Sequence, residues 1–351
     1  MKIKACMVIF FVGLLAVVSC KKVDSGGNAN PAPNTFVTDT NIYVAGYVNN
    51  YSNYLQIPAY WKNGALYKFA DSSLNSSAES IAVHDTNVLI SATIEHTNGG
   101  AYTAIYYLNG NKVVLADSAF VGMSQSAAFG SCGCDIYVCG AMKINGHYKA
   151  IYWKNGTAHL LPNNSPDSFA LGILENNGNI YVAGSAVTTV NSKYAVYWKN
   201  DVSYPLADTL SDSEARGIAL VGADIYVAGY SRSGSINVAA YWKNGVQTNF
   251  DRGGLLSVTT DGTNVFLGGD QGISGQGAYW KNGTLNLLSA QNFQPSVDGI
   301  AVFGSDVYVA GWIVSNQGQV SPAYWKNGVY TPLTYSFSGV AQSIRVVTYK
   351  H

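Results

Sequence analysis

Residues able to do chemistry are few in this chain. Cys132, Cys134 and Cys139 crowd into the phrase SCGCDIYVCG. A bond from Cys132 or Cys134 to Cys139 is conceivable across one hairpin, with Cys134 to Cys139 as the candidate pair; three unpaired small side chains are the alternative. A zinc site would need a fourth nitrogen or sulfur ligand and a better spacing, so no metal is expected. The histidines, His84, His96, His147, His159 and His351, match no metalloprotease, nucleophile-elbow or calcium-loop pattern and read as scattered surface side chains. Paired carboxylates could cleave a glycoside if they faced one another across a cleft. Asp71, Asp117, Asp167, Asp208 and Asp212 recur beside serine or threonine, which suggests local loop hydrogen bonding, whereas Glu79 and Glu214 are acids that do not repeat. The glycine-rich GGDQGISGQG at 268–277 lacks the spacing of a nucleotide loop, and no cofactor is expected.

The elements that must position these residues come from an internal repeat. A phrase of the form I-Y-V-A-G begins at Ile42, Val88, Ile136, Ile180, Ile225, Val265 and Val307, with gaps of 46, 48, 44, 45, 40 and 42 residues. A second phrase follows each, from Tyr60-Trp61-Lys62-Asn63-Gly64 to Tyr324-Trp325-Lys326-Asn327-Gly328. Asn-Gly suits the centre of a tight hairpin, because both central residues of a type I′ turn take positive φ. Asn or Asp precedes every I-Y-V-A-G phrase, where a short polar side chain favours a turn.

Each unit therefore predicts four strands: an apolar first strand such as ESIAV at 79–83, then I-Y-V-A-G, then A-Y-W-K, then a short alternating strand such as TLNLL at 284–288. Four short strands every 40 to 48 residues match the blade of a propeller. The expected fold is all-β: a seven-bladed β-propeller with four-stranded antiparallel blades over residues 36–351. Two segments compete for the first strand of the first blade, TFVTDTN at 35–41 and QSIRVV at 342–347. In a propeller the Lys-Asn-Gly hairpins lie away from the central channel, so Lys62, Lys154, Lys199, Lys243, Lys281 and Lys326 are not expected to ring an anion.

Bulk composition excludes one class of partner. Lys plus Arg and Asp plus Glu both number 20 and charged residues are 11%, so nothing points to nucleic acid. The amino end reads MKIKACMVIFFVGLLAVVSCKK, a basic start and an apolar run too short for a comfortable membrane span. VVSC resembles the lipobox of bacterial lipoproteins, which implies a signal peptide at 1–19, acylation of Cys20 and a flexible lipid-anchored tether at 20–35. Residence in the bacterial cell envelope, at the outer membrane and held by membrane lipid through Cys20, follows from that resemblance.

The alternation of I-Y-V-A-G with A-Y-W-K-N-G resembles the HAF-repeat extracellular proteins, and more closely the propeller lipoproteins of Bacteroidetes. The resemblance covers about residues 36–351 and implies an architecture but no catalytic residues. The loops between second and third strands vary most and would share one rim; Tyr51, Tyr54, Gln56, Trp312 and Asn316 there are what a protein or glycan partner would use. The reading favours an envelope lipoprotein that binds or scaffolds a protein or glycan and is not an enzyme. Its alternative is a polysaccharide lyase or glycosidase-type enzyme on the same fold.

Overall fold

The structure, a computed structural model, describes residues 38–69, 74–96, 101–115, 122–207, 212–272, 275–290, 293–335 and 337–350. Cys20, the signal and tether segments, Asp71, Asp117 and Asp208 lie outside the described residues.

The described chain is all-β and built of propeller-like blades. Each repeat supplies four antiparallel strands, as in Asn75–His84, Asn87–His96, Ala101–Leu108 and Asn111–Val114. Five sheets have four strands and one has seven. The seven-stranded sheet arises because Val246–Thr260 is both the fourth strand of the fifth repeat, paired with Ile236–Lys243, and the first strand of the sixth, paired with Val265–Gln271. The spacing explains this: the step from Ile225 to Val265 is the shortest in the chain, and an extended strand replaces a looped connection.

The Asn-Gly hairpins form as expected and do more than turn. Asn63 and Gly64 take φ of 50° and 81°, and the fourth copy keeps the shape with Asn200 and Asp201 at 47° and 65°. Each hairpin asparagine also caps the second strand. Asn155 Oδ1 accepts the Ile136 N–H at 2.8 Å, and Asn155 Nδ2 donates to Asp135 Oδ1 at 2.7 Å. The same pair of bonds recurs at Asn327, with Val307 and Asp306. The residue before I-Y-V-A-G is therefore a partner of the hairpin as well as a turn former.

The repeated lysine is structural too. Lys154, Lys243 and Lys326 form ion pairs of 2.7, 2.8 and 2.8 Å with Asp135, Asp224 and Asp306. Lys62, Lys199 and Lys281 lie 5.3, 5.4 and 5.4 Å from the ring centres of Tyr43, Tyr181 and Phe266.

Between consecutive repeats lies an apolar core. Trp61, Trp153, Trp198, Trp242 and Trp325 are fully buried, and truncating such a side chain typically costs about 3–5 kcal/mol. Trp198 packs with Tyr137, Cys139 and Tyr152 of the preceding repeat. Trp61 of the first repeat packs with Tyr308 and Ala310 of the last, and its indole N–H donates to the Thr334 carbonyl at 2.6 Å.

The competition between terminal segments is resolved. Gly339–Lys350 pairs antiparallel with Thr38–Asn49 and supplies the first strand of the first sheet, while Thr38–Asn41 prolong its second strand. First strands touch in order through the chain, and Gly339–Lys350 also meets Asn75–His84, so the series of contacts returns to its start.

Candidate functional site: a cavity lined by seven bulged strands

Every first strand carries one β-bulge, at the same place in the repeat. Pairing passes from Ala78 to Ser80 and skips Glu79; in the other repeats it skips Gln125, Leu171, Arg216, Leu256, Asp298 and Gln342. A bulge leaves its extra residue unpaired and re-aims the side chain. Here all seven re-aimed residues line one cavity of about 140 Å³. The local sequence permits this because a small residue follows each bulge: Ser80, Ser126, Gly172, Gly217, Ser257, Gly299 or Ser343.

Charge in the cavity is uneven. In strand order Asp298, Gln342 and Glu79 are consecutive, and Arg216 stands among them only at a distance, flanked by the repeats of Leu171 and Leu256. Gln342 Nε2 donates to Glu79 Oε2 at 3.1 Å, and the Ser77 hydroxyl donates to the other oxygen. Burial raises the Glu79 pKa, and these hydrogen bonds only partly oppose it. Arg216 Nη2 pairs with the buried Glu214 at 2.7 Å, and Glu214 takes Lys193 Nζ at 2.7 Å on its other oxygen. Glu214 thus anchors the guanidinium from behind.

Burial pushes the Asp298 carboxyl up to about 7, repulsion from Asp270 and Glu79 adds to the shift, and Arg216 and a hydrogen bond with Trp312 oppose it. Asp270, also pushed up by burial to about 6, accepts the Val297 N–H at 3.1 Å and the Ser296 hydroxyl at 3.1 Å. Both carboxyls therefore hold their protons to higher pH than a free aspartate, Asp270 while facing fixed N–H and O–H donors. Acid–base catalysts use carboxyl groups raised toward neutrality in this way.

The residues singled out from sequence divide between two places. Trp312 lies on the second strand Asp306–Val314 and hydrogen-bonds Asp298, which lines the cavity. Tyr51 and Tyr54, 75% and 69% exposed, stand edge-on to Phe337 with ring centres 5.3 and 5.8 Å away. Gln56 opens a third strand, its N–H donating to Asn75 Oδ1 at 2.9 Å, and Asn316 is exposed in the following loop of the last repeat.

The candidate Cys134–Cys139 bond is not present, and the three cysteines are unpaired, the other reading of the sequence. Cys139 is buried in an inter-repeat core that pushes its thiol up to about 12, whereas Cys132 and Cys134 are exposed, with the Cys134 N–H 3.4 Å from Cys132 Sγ. Position along the strand, facing the core, separates Cys139 from the turn. Asp167 and Asp212 accept hydrogen bonds from the N–H groups of Tyr148 at 2.7 Å and Lys193 at 3.1 Å, each in the third strand of the preceding repeat and not within the loop as expected.

Sequence reasoning reached Glu79 but missed Asp298, Asp270 and Arg216. The available signal was the position before the small residue of each first strand, occupied by E, Q, L, R, L, D and Q while its neighbours repeat.

No protein family matches the chain, and no curated protein does. Solved structures do. A Mycobacterium tuberculosis puromycin-hydrolyzing peptidase is similar at 8% identity over 84% of this chain and 54% of that one, with a TM-score of 0.54. The acylaminoacyl peptidase of Pyrococcus horikoshii is similar at 12% identity over 74% of this chain and 46% of that one, TM-score 0.47. The propeller domain of the Trilobed protease from Pyrococcus furiosus is similar at 11% over 74% and 85%, TM-score 0.44. The chain spans about half the length of the first two. The likeness to the M. tuberculosis protein corrects the expectation of a non-enzyme: this architecture occurs in a peptidase, so a propeller-like fold gives no reason to set catalysis aside.

Proposed function

We propose that the chain is a seven-bladed propeller, closed by its carboxy-terminal strand, that works at the bulge-lined cavity as an acid–base enzyme of the glycosidase or lyase type on a glycan. One observation carries the reading: the bulge position, which differs chemically from repeat to repeat, is one whose seven side chains converge, and it brings Asp298, Glu79 and Arg216 into one cavity. Asp298 would donate the proton to a leaving oxygen, Asp270 or Glu79 would serve as the anionic partner, and Arg216 would hold an acidic or hydroxyl-rich group. The likeness to a peptidase supports the fold alone; its substrate does not carry over.

The test is turnover by the full chain on a panel of neutral and uronic-acid glycans, with products read by mass spectrometry. Cleavage that falls about a hundredfold or more in Asp298→Asn, and clearly in Glu79→Gln, supports the reading. Absence of cleavage across the panel sinks it.

A second reading, glycan or protein binding at the loop rim, is favoured by the exposure of Tyr51 and Tyr54 beside Phe337. Retention on immobilised glycans without turnover, weakened by Tyr51→Ala and Tyr54→Ala but not by Asp298→Asn, would select it. Under either reading we place the protein in the bacterial envelope, anchored through acylated Cys20; the lipobox-like VVSC supports this. Cys20→Ser should then release the protein from the membrane fraction, and an unchanged partition would remove the anchor.

A further inference from the structure

Beyond the bulge ring the interior widens into a second cavity of about 440 Å³, within the roughly 300–1,000 Å³ of small-molecule sites. Its wall comes from the later half of the first strands and the turns that follow, so it opens at the other end from Trp312 and Asp270. Three residues after each bulge, six repeats place Ala82, Ala128, Leu174, Ala219, Thr259 and Ala301; the seventh places Arg345. Arg345 lines this cavity and also a smaller one of about 130 Å³ that adjoins the ring, and so stands between the two ends.

That arginine lacks the anchor Arg216 has. Its Nη1 donates to its own strand, to the Ile344 carbonyl at 3.1 Å, and among the described residues no carboxylate lies within ion-pair distance. The side chain is exposed where it lines the cavity, so its free donors are open to a dissolved ligand. Other chargeable groups at this end are spoken for: His84 Nδ1 lies 3.4 Å from Asp85, and Glu175 accepts from the Ser131 hydroxyl at 2.7 Å. Small side chains keep the space before the guanidinium open, and the hydroxyl of Thr259 adds a donor to the wall. A planar guanidinium with unused donors suits a two-oxygen anion.

We propose that this cavity is an oxyanion site, in which Arg345 binds the carboxylate, sulfate or phosphate group of a small organic ligand. The site adjoins the carboxylate ring but opens away from it, and its anion binding is read independently of what that ring does.

Calorimetric titration of the full chain with inorganic sulfate, inorganic phosphate and glucuronate, with glucose as the neutral control, tests it. At least one anion should bind while glucose does not, and the three arms distinguish free inorganic anions from a sugar carboxylate. Arg345→Gln should weaken that binding about tenfold or more, and Arg345→Lys less. Thr259→Asp leaves Arg345 in place but supplies a competing carboxylate in the same cavity, and should also weaken binding about tenfold. That variant decides the question if Arg345→Gln fails to fold. Anion binding unaffected by Thr259→Asp, or no binding of any anion to the parent chain, overturns the proposal. Glycan turnover is a separate readout, so loss of one reading does not decide the other.

Discussion

Gly311 faces the bulge that aims Asp298 so closely that a Cβ built on it would run into the backbone carbonyl of Ser296. Six repeats place glycine at this position of the second strand and the other places Ala92 opposite the bulge of Glu79, so glycine eases the buckle of the first strand without being required in every repeat. Gly229 meets Glu214 in the same way beside the bulge of Arg216.

Gly311→Ala should therefore cost stability by about 1–3 kcal/mol, the usual range for forcing an extra carbon into packed structure. Urea unfolding of the variant against the parent checks this. A change within error would show that the bulge tolerates a methyl group.

Asp298 should make stability fall as pH rises. Its folded pKa of about 7 exceeds the unfolded value near 3.8, so the native state holds a proton that the unfolded chain has lost across that window. The contribution is fully favourable below about 4 and is lost by about 7. Asp298→Asn should match the parent at pH 4 and exceed it by about 2 kcal/mol at pH 8, less than the full 1.36 kcal/mol per unit because the cavity admits water. Equal unfolding midpoints for the two proteins at pH 8 would contradict this.

Asn155→Ala removes a positive-φ residue and two capping bonds at one hairpin. The expected loss is about 2 kcal/mol, from left-handed backbone strain and the unmet Ile136 N–H. Asn155→Gly separates the two causes: it should recover the part due to strain and not the part due to hydrogen bonding. Thermal unfolding of both variants gives the comparison.

Lys326→Met should leave the unfolding midpoint unchanged, since its ion pair with Asp306 is solvent-exposed and such pairs contribute little. Retained glycan or anion binding in the same variant would confirm that the repeated lysines serve the strand ends. A large loss of binding would reopen the question of an anion ring.

How much of this was legible in the sequence depended on whether residues repeat. Asn-Gly at φ values only such residues accept, alternation in A-Y-W-K and the apolar first strands all recur, so hairpins and strands could be read by laying the chain on itself. The cavity obeys the opposite logic. Its seven side chains occupy one structural position but share no chemistry, and a search for recurrence discards them as variation. Glu79 stood out only because it was an acid out of phase; Asp298 looked like part of DGIAV, and Arg216 like part of ARGIAL. Nor does a pattern of strands reveal a bulge, which becomes visible only in the pairing register. The buried face of Cys139 and the fusion of two sheets through Val246–Thr260 are likewise matters of direction and continuity, to which residue type is a poor guide.

The twelve residues of Gly339–Lys350 pair with the first described strand of the chain and carry both Gln342 and Arg345. Synthesis reaches Gly339–Lys350 long after Thr38–Asn49, so the earlier strand must wait with one edge unpaired. A chain broken off before Gly339 would leave that edge unguarded and competent for misassembly, and would lack the arginine of one cavity and a wall residue of the other. The strand that fastens the first sheet is also the one that delivers interior chemistry, so both arrive in the same event.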